Sequence, residues 1–229
     1  MSNLSQSVNV AVLDNRDSFV YNLVDELVGL GLAPTVFRNN VPAADIVATE
    51  PDLIVLSPGP GHPAEAGCMM ELIAGAQVPM LGICLGFQAL LLEASLTVRP
   101  VGPVHGTSDT MRVPGGVSRE TRLVDALFRG ARNPDGTVTV ARYHSLGVPV
   151  AEVAPGQITV LGECDSEAGP VVMAAAFGRG APWTAREGEA TDPLRAIGLQ
   201  FHPESILTPK GPLILRNAIE MLTECGAQN

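Results

Sequence analysis

Over the first hundred positions, apolar residues fall into short continuous runs separated by stretches with helical spacing. VNVAVL (8–13) is an apolar run that stops at Asp14, and SFVYNLVDELVGLGL (18–32) follows with Phe19, Leu23, Leu27 and Leu30 near one face. Gly29 and Gly31 mark the end of that helix. TVF (35–37), DLIVLS (52–57) and VPMLGIC (78–84) read as further strands. AADIVAT (43–49), MMELIAG (69–75) and LGFQALLLEA (85–94) read as the helices between and after them. Strands alternating with helices over short links predict a right-handed parallel sheet with both faces covered.

Beyond residue 98 the pattern changes. VTVARYHS (138–145), ITVLGE (158–163), VVMAAAF (171–177) and AIGLQF (196–201) read as strands without intervening helices, which fits antiparallel strands appended to the parallel sheet. GRGAPWTAREGEATDP (178–193) is small, charged and turn-rich and reads as an exposed loop, and PLILRNAIEMLTE (212–224) as a closing helix. No repeat and no linker divides the chain. The expectation is an α/β fold in one domain over residues 1–229: an open, mostly parallel sheet flanked by helices, with extra antiparallel strands in the C-terminal half.

Composition narrows the function. The chain is 46% hydrophobic, enough for a full core, and its formal net charge of −10 argues against a nucleic-acid backbone and for small molecules or protein partners. No apolar run is long enough to span a bilayer, and MSNLSQS (1–7) lacks the basic and apolar segments of a secretory signal. A cytoplasmic protein with no membrane contact is expected. Cys68, Cys84, Cys164 and Cys225 are scattered, with no zinc-like spacing, and all four are expected to be thiols.

Only Cys84 has neighbours that suggest chemistry. It sits between Gly82 and Gly86 where a strand runs into a helix. A nucleophile on so sharp a turn needs small residues two positions away on either side, and the following helix aims its amides and positive dipole end at the sulfur. The amide of Leu85 is then available to an oxyanion. The other reading is a core cysteine beside packing glycines. A cysteine nucleophile needs a base and a group to orient it. His202 emerges from an apolar strand, and Glu204 lies two residues on, on the same side of an extended chain that Pro203 maintains. Taken alone, the pair could equally be surface residues on a loop. In SPGPGHP (57–63) two glycines would let backbone amides point into a cavity, although the turn is also an ordinary tight loop with His62 exposed.

In this order, GICLGFQ (82–88), RYHSL (142–146) and GLQFHPESILT (198–208) resemble the class I glutamine amidotransferases, with their Cys-His-Glu triad. LDNRDSFVYNLV (13–24) and LSPGPGHP (56–63) make the chain similar to the subgroup that feeds ammonia to chorismate-using synthases. Within it, the small subunit of anthranilate synthase comes first and that of aminodeoxychorismate synthase is the alternative. The resemblance covers Val10 to about Ala218. It implies that Cys84 attacks the side-chain amide of glutamine to form a thioester, that His202 moves the protons, and that Glu204 orients His202. It further implies a glutamine site built from Gly59, Pro60, Gly61, Leu85, Gln88, Ser145 and Leu146. The ammonia would pass to a larger subunit that binds chorismate and Mg²⁺, with no metal or cofactor in this chain. Phe87 and Thr107 replace a histidine and a lysine common in the family, and the 178–193 loop looks longer than usual. These departures bear on partner and allosteric contacts rather than on the chemistry.

Overall fold

A computed structural model describes residues 8–115, 119–178 and 194–224. In chain order the first elements are β1 (Val10–Asp14), α1 (Val20–Gly29), β2 (Thr35–Arg38), α2 (Ala43–Val47), β3 (Leu53–Leu56), α3 (Met69–Gly75), β4 (Met80–Ile83) and α4 (Leu85–Glu93). There follow β5 (Arg99–Pro100), β6 (Thr107–Met111), α5 (Arg119–Leu127), β7 (Val138–Arg142), β8 (Leu146–Gly147), β9 (Thr159–Cys164), β10 (Val171–Gly178), β11 (Leu194–Leu199) and α6 (Gly211–Glu224). The main sheet has seven strands in the order β2-β1-β3-β4-β11-β10-β9. The first five run parallel, and β10 and β9 are added antiparallel.

Alternation along the strands divides the core in two. Val10, Val12, Leu53, Val55, Leu81, Ile83, Ile197 and Leu199 belong to one apolar cluster. Their neighbours Ala11, Leu13, Ile54, Leu56, Met80 and Ala196 belong to the other. Strands buried on both faces are apolar at every position, hence the continuous runs in the sequence. α5 and α6 cover the first face, where Val124, Leu127, Leu215 and Ile219 pack. α3 and α4 lie on the second. α4 is buried from Leu85 through Leu91, unlike the one-sided α1, which buries Val20, Leu23 and Leu27.

Two expectations are corrected, and two elements appear that the sequence did not predict. The 196–201 strand is not an appended antiparallel strand: β11 runs parallel to β4, pairing Leu199 with Ile83, and so brings the end of one strand beside the end of the other. The 138–145 strand does not join the main sheet; β7 ends at Arg142 and pairs antiparallel with β6 in a separate ribbon. The polar face of TSDTM kept β6 from being read as a strand, and before Met111 only Asp109 is even half-buried. α5 also escaped detection, because its charged surface outweighs its few buried apolar residues. The proposed loop at 178–193 lies, apart from Gly178 at the end of β10, outside the described residues, as does Cys225.

Candidate active site

The carboxyl ends of β1, β3, β4 and β11 lie side by side in the parallel part of the sheet, the place where an open α/β sheet gathers its functional groups. Cys84 follows β4 directly. Its N–H donates to Leu199 O at 2.8 Å, and its carbonyl accepts from Gln88 N at 3.0 Å. One residue thus serves both the strand ladder and the first turn of α4, at φ 51° and ψ −101°. That strained backbone costs an L-residue on the order of 1–3 kcal/mol. The flanking glycines are required by space. A Cβ at Gly82 would lie 2.8 Å from the Gly86 carbonyl, and one at Gly86 would lie 2.3 Å from Leu56 O.

His202 lies just past β11. Its N–H donates to Ala141 O at 3.2 Å, and Thr208 Oγ1 donates to its carbonyl at 2.7 Å. Nδ1 pairs with Glu204 Oε1 at 2.7 Å. The link between them is a turn and not an extended segment: Ser205 N donates back to His202 O at 3.2 Å. The turn still sets the two side chains together, and both are buried. Glu204 can only accept when ionised, so Nδ1 carries the hydrogen and Nε2 is left over. Nε2 is fully buried, with no hydrogen-bond partner among the described residues. The Cys84 side chain lies near enough to the ring to stabilise its protonated form. Burial disfavours the imidazolium, but the interactions with Cys84 and Glu204 outweigh it, and His202 is pushed up to about 10. The rings of Phe19 and Tyr143 each lie 5.1 Å from the His202 ring, tilted and edge-on respectively, and pack against it.

The glycine turn is fixed at one end and open at the other. Asn15 N donates to Ser57 Oγ (2.9 Å) and Asn15 Nδ2 to Ser57 O (3.0 Å), tying the end of β1 to the end of β3. A Cβ at Gly59 would lie 2.6 Å from both Asn15 Cβ and Leu85 Cδ2, so the turn packs against the residue after Cys84. Pro60 and Gly61 are exposed, and Gly61 takes φ +83° with open space around it. His62 is half-buried rather than exposed, and its Nδ1 accepts from Ala64 N to cap a short turn of helix.

Gln88 lies one helical turn beyond Cys84 and donates from Nε2 to Leu146 O (3.1 Å) and Gln200 Oε1 (3.3 Å). Ser145 is exposed beside it. The five sequence segments are therefore joined: Asn15 to Ser57, the turn to Leu85, Gln88 to Leu146, and Cys84 to Leu199 on the strand that leads to His202.

Sequence reasoning missed Gln200, His144 and Arg142. Gln200, fully buried, donates from Nε2 to Cys84 Sγ at 3.6 Å. Its spacing was a signal, since it lies two residues before His202 on a strand end. His144 is buried, pairs through Nδ1 with Leu146 O (3.0 Å), and receives Arg142 Nε at Nε2 (3.2 Å). Arg142 is held by Asp109 Oδ2 at 2.6 Å. Of the departures from family pattern, Phe87 is fully buried, meets Phe177 edge-on at 6.3 Å, and occupies the space a Cβ at Gly198 would need. It is a core residue, not part of a partner surface. Thr107 is exposed at the start of β6.

Cys68 and Cys164, the other cysteines among the described residues, are poor nucleophiles. Burial pushes Cys164 up to about 12 and raises Cys68. Among the described residues no cluster of His, Cys, Asp and Glu is arranged to hold a metal, and no helix is long and apolar enough to cross a membrane.

Residues 11–221 match the family model for class I glutamine amidotransferases. An anthranilate synthase component 2 from Corynebacterium glutamicum is 47% identical over 225 residues, covering 93% of this chain and 98% of the relative. A pyocyanine-specific anthranilate synthase component 2 from Pseudomonas aeruginosa is 40% identical, covering 96% of each chain. The crystal structure of a glutamine amidotransferase from Thermotoga maritima superposes with a TM-score of 0.61 at 17% identity, covering 95% of this chain and 98% of that one. At that identity the likeness is one of fold.

Proposed function

The chain belongs to the class I glutamine amidotransferases, and from that premise we propose that it is the glutaminase subunit of an anthranilate synthase. The observation that carries this reading is the junction at Cys84. A strained strand-to-helix turn presents its sulfur, with a histidine oriented by a buried carboxylate behind it. Cys84 Sγ, as thiolate, attacks the carboxamide carbon of glutamine. The developing oxyanion is met by the amide of Leu85 and by amides of the glycine turn at Gly59–Gly61. Nε2–H of the His202 imidazolium gives its proton to the leaving amine, ammonia departs, and a γ-glutamyl thioester remains. Neutral His202 then takes a proton from water, whose oxygen attacks the thioester. Collapse of the second intermediate releases glutamate and returns the thiolate and imidazolium. Glu204 keeps the Nδ1–H tautomer throughout and stabilises the cation.

Gln88 spends both hydrogens of its amide on Leu146 O and Gln200 Oε1. What it can offer a substrate is its oxygen, which suits the α-ammonium of glutamine. Ammonia is then handed to a component I subunit that binds chorismate and Mg²⁺. The names of the relatives put anthranilate ahead of aminodeoxychorismate as its product.

Cys84→Ser in the assembled complex tests this. Glutamine-dependent anthranilate formation should fall by at least ~10³-fold, while ammonia-dependent formation stays within about twofold, because only the first half-reaction uses the thiol. Equal loss of both activities would make Cys84 structural. A wild-type complex that converts chorismate to aminodeoxychorismate instead would move the product assignment to the sister enzyme.

A further inference from the structure

The sulfur of Cys84 is met by a second buried group besides His202, and the bonds behind that group have a direction. Leu146 O is a carbonyl and can only accept, so Gln88 must turn its amide nitrogen toward it (3.1 Å). The same nitrogen lies 3.3 Å from the side chain of Gln200, which must therefore answer with its oxygen. With Oε1 so committed, the group of Gln200 that faces Cys84 Sγ at 3.6 Å is Nε2, a donor. The other donor on Leu146 O agrees. Arg142 has only donors, so His144 Nε2 must accept from it (3.2 Å), which leaves the hydrogen on Nδ1, facing Leu146 O at 3.0 Å. An arginine at one end and a carbonyl in the middle thus set the sense of every amide between Leu146 and the sulfur.

We propose that Gln200 is a positioning residue for the nucleophile: oriented by Gln88 and Leu146, it presents an amide N–H to Cys84 that holds the sulfur in place and favours its ionised form. Gln200 and Gln88 are both buried, so water does not substitute for either amide, and a reversed Gln200 would place an oxygen against a thiolate. The chain of amides also joins the loop assigned to glutamine's amino-acid end, Ser145–Leu146, to the sulfur that attacks its other end. This inference rests on the reading of Cys84 as nucleophile.

The test is the pH profile of alkylation at Cys84 by iodoacetamide in the full-length chain, read on the peptide that carries Cys84 so that the other thiols do not contribute. It needs no substrate and no partner. Three variants are compared with wild type: Gln200→Met, Gln200→Glu and Gln88→Met. Gln200→Met keeps the volume and removes the donor, and its profile should move up by roughly one pH unit, which slows alkylation by about tenfold on the acid limb of the profile. Gln200→Glu keeps the shape and the bond from Gln88 but sets an anion beside the sulfur, and should move further in the same direction. Gln88→Met leaves the neighbour of the sulfur in place and frees it to turn, and should move less. His202 faces the sulfur in all of them and cancels in the comparison. A role confined to packing would leave Gln200→Met with a wild-type profile even where Gln200→Glu moves, which overturns the proposal. Should neither fold, a wild-type profile in Gln88→Met overturns it. Separately, Cys84→Ala that retains glutaminase activity in the complex would sink the nucleophile reading while leaving the alkylation profiles intact.

Discussion

Two histidines of the site respond to the same burial in opposite ways, and their partners explain why. His202 has a carboxylate and the Cys84 sulfur, and is pushed up to about 10 against the effect of burial. His144 has a carbonyl at one nitrogen and a guanidinium at the other, and burial pushes it down to about 4. The consequences for stability have opposite signs. For His202 the native state binds the proton more tightly than the unfolded chain, so its contribution is full below about pH 6.5 and fades as pH rises toward about 10. For His144 the unfolded chain takes up a proton that the native state refuses, so stability is lost as pH falls from about 6.5 to about 4. That loss is at most ~3 kcal/mol. We expect His144→Gln to be less stable than wild type at pH 7.5, since it disturbs the bonds to Leu146 and Arg142, but to lose less between pH 7.5 and 4.5. Urea midpoints at the two pH values for both proteins give the comparison. Parallel loss in the two would mean that folding does not lower the proton affinity of His144.

At the scale of elements, the site depends on how closely α4 approaches the sheet, and that approach is set by glycines. A Cβ at Gly86 would press on the backbone oxygen of Leu56, which cannot swing aside as a side-chain tip could. Gly86→Ala should therefore cost ~2–3 kcal/mol or more, read as a fall in the urea midpoint. Gly29→Ala is the contrast: Gly29 is exposed at the end of α1, nothing lies within 4 Å of its Cβ position, and a neutral or slightly stabilising effect is expected. Equal losses in the two would show that the close approach has no energetic weight. The bracket around Cys84 was legible in the sequence because a local backbone constraint selects a local pattern. So were β1, β3, β4 and β11, since burial on both faces leaves an apolar run, whereas β2, largely exposed at the edge, shows only the short TVF. Strand order was not legible. Nothing in AIGLQF says that β11 enters between β4 and β10, yet that insertion is what sets His202 beside Cys84. Gln200 was hidden for the same reason, its two partners lying 112 and 116 residues away in the chain.

For the whole molecule, the question is what a second subunit would find at this end of the sheet. The loops after β1, β3, β4 and β11 open there together, and they are unequally held. Cys84 is locked between two elements, and Asn15 ties the start of the glycine turn to Ser57 and, at 3.4 Å, to Met69 Sδ. Pro60 and Gly61 project from that anchor into solvent, and Gly61, at φ +83° with nothing within 4 Å of its Cβ position, is not packed against the rest of the site. The rest of the machinery can thus be in place while one oxyanion donor is not. A glutaminase complete on its own would release ammonia with no acceptor present, so coupling the last donor to docking of the synthase subunit has a clear advantage. Ile206, 94% exposed and two residues beyond Glu204, is an apolar group on this side that such a subunit would cover. An oxyanion donor is worth ~3 kcal/mol, or ~10²–10³ in rate. We expect the isolated chain to release glutamate from glutamine at that much below the rate of the complex, with activity restored when the component I subunit and chorismate are added at fixed glutamine. The gain should appear mainly in kcat, because the donor engages the tetrahedral intermediate more than the bound amide. Full activity in the isolated chain would mean that the turn is already set, and that the protein hydrolyses glutamine whether or not an acceptor subunit is present.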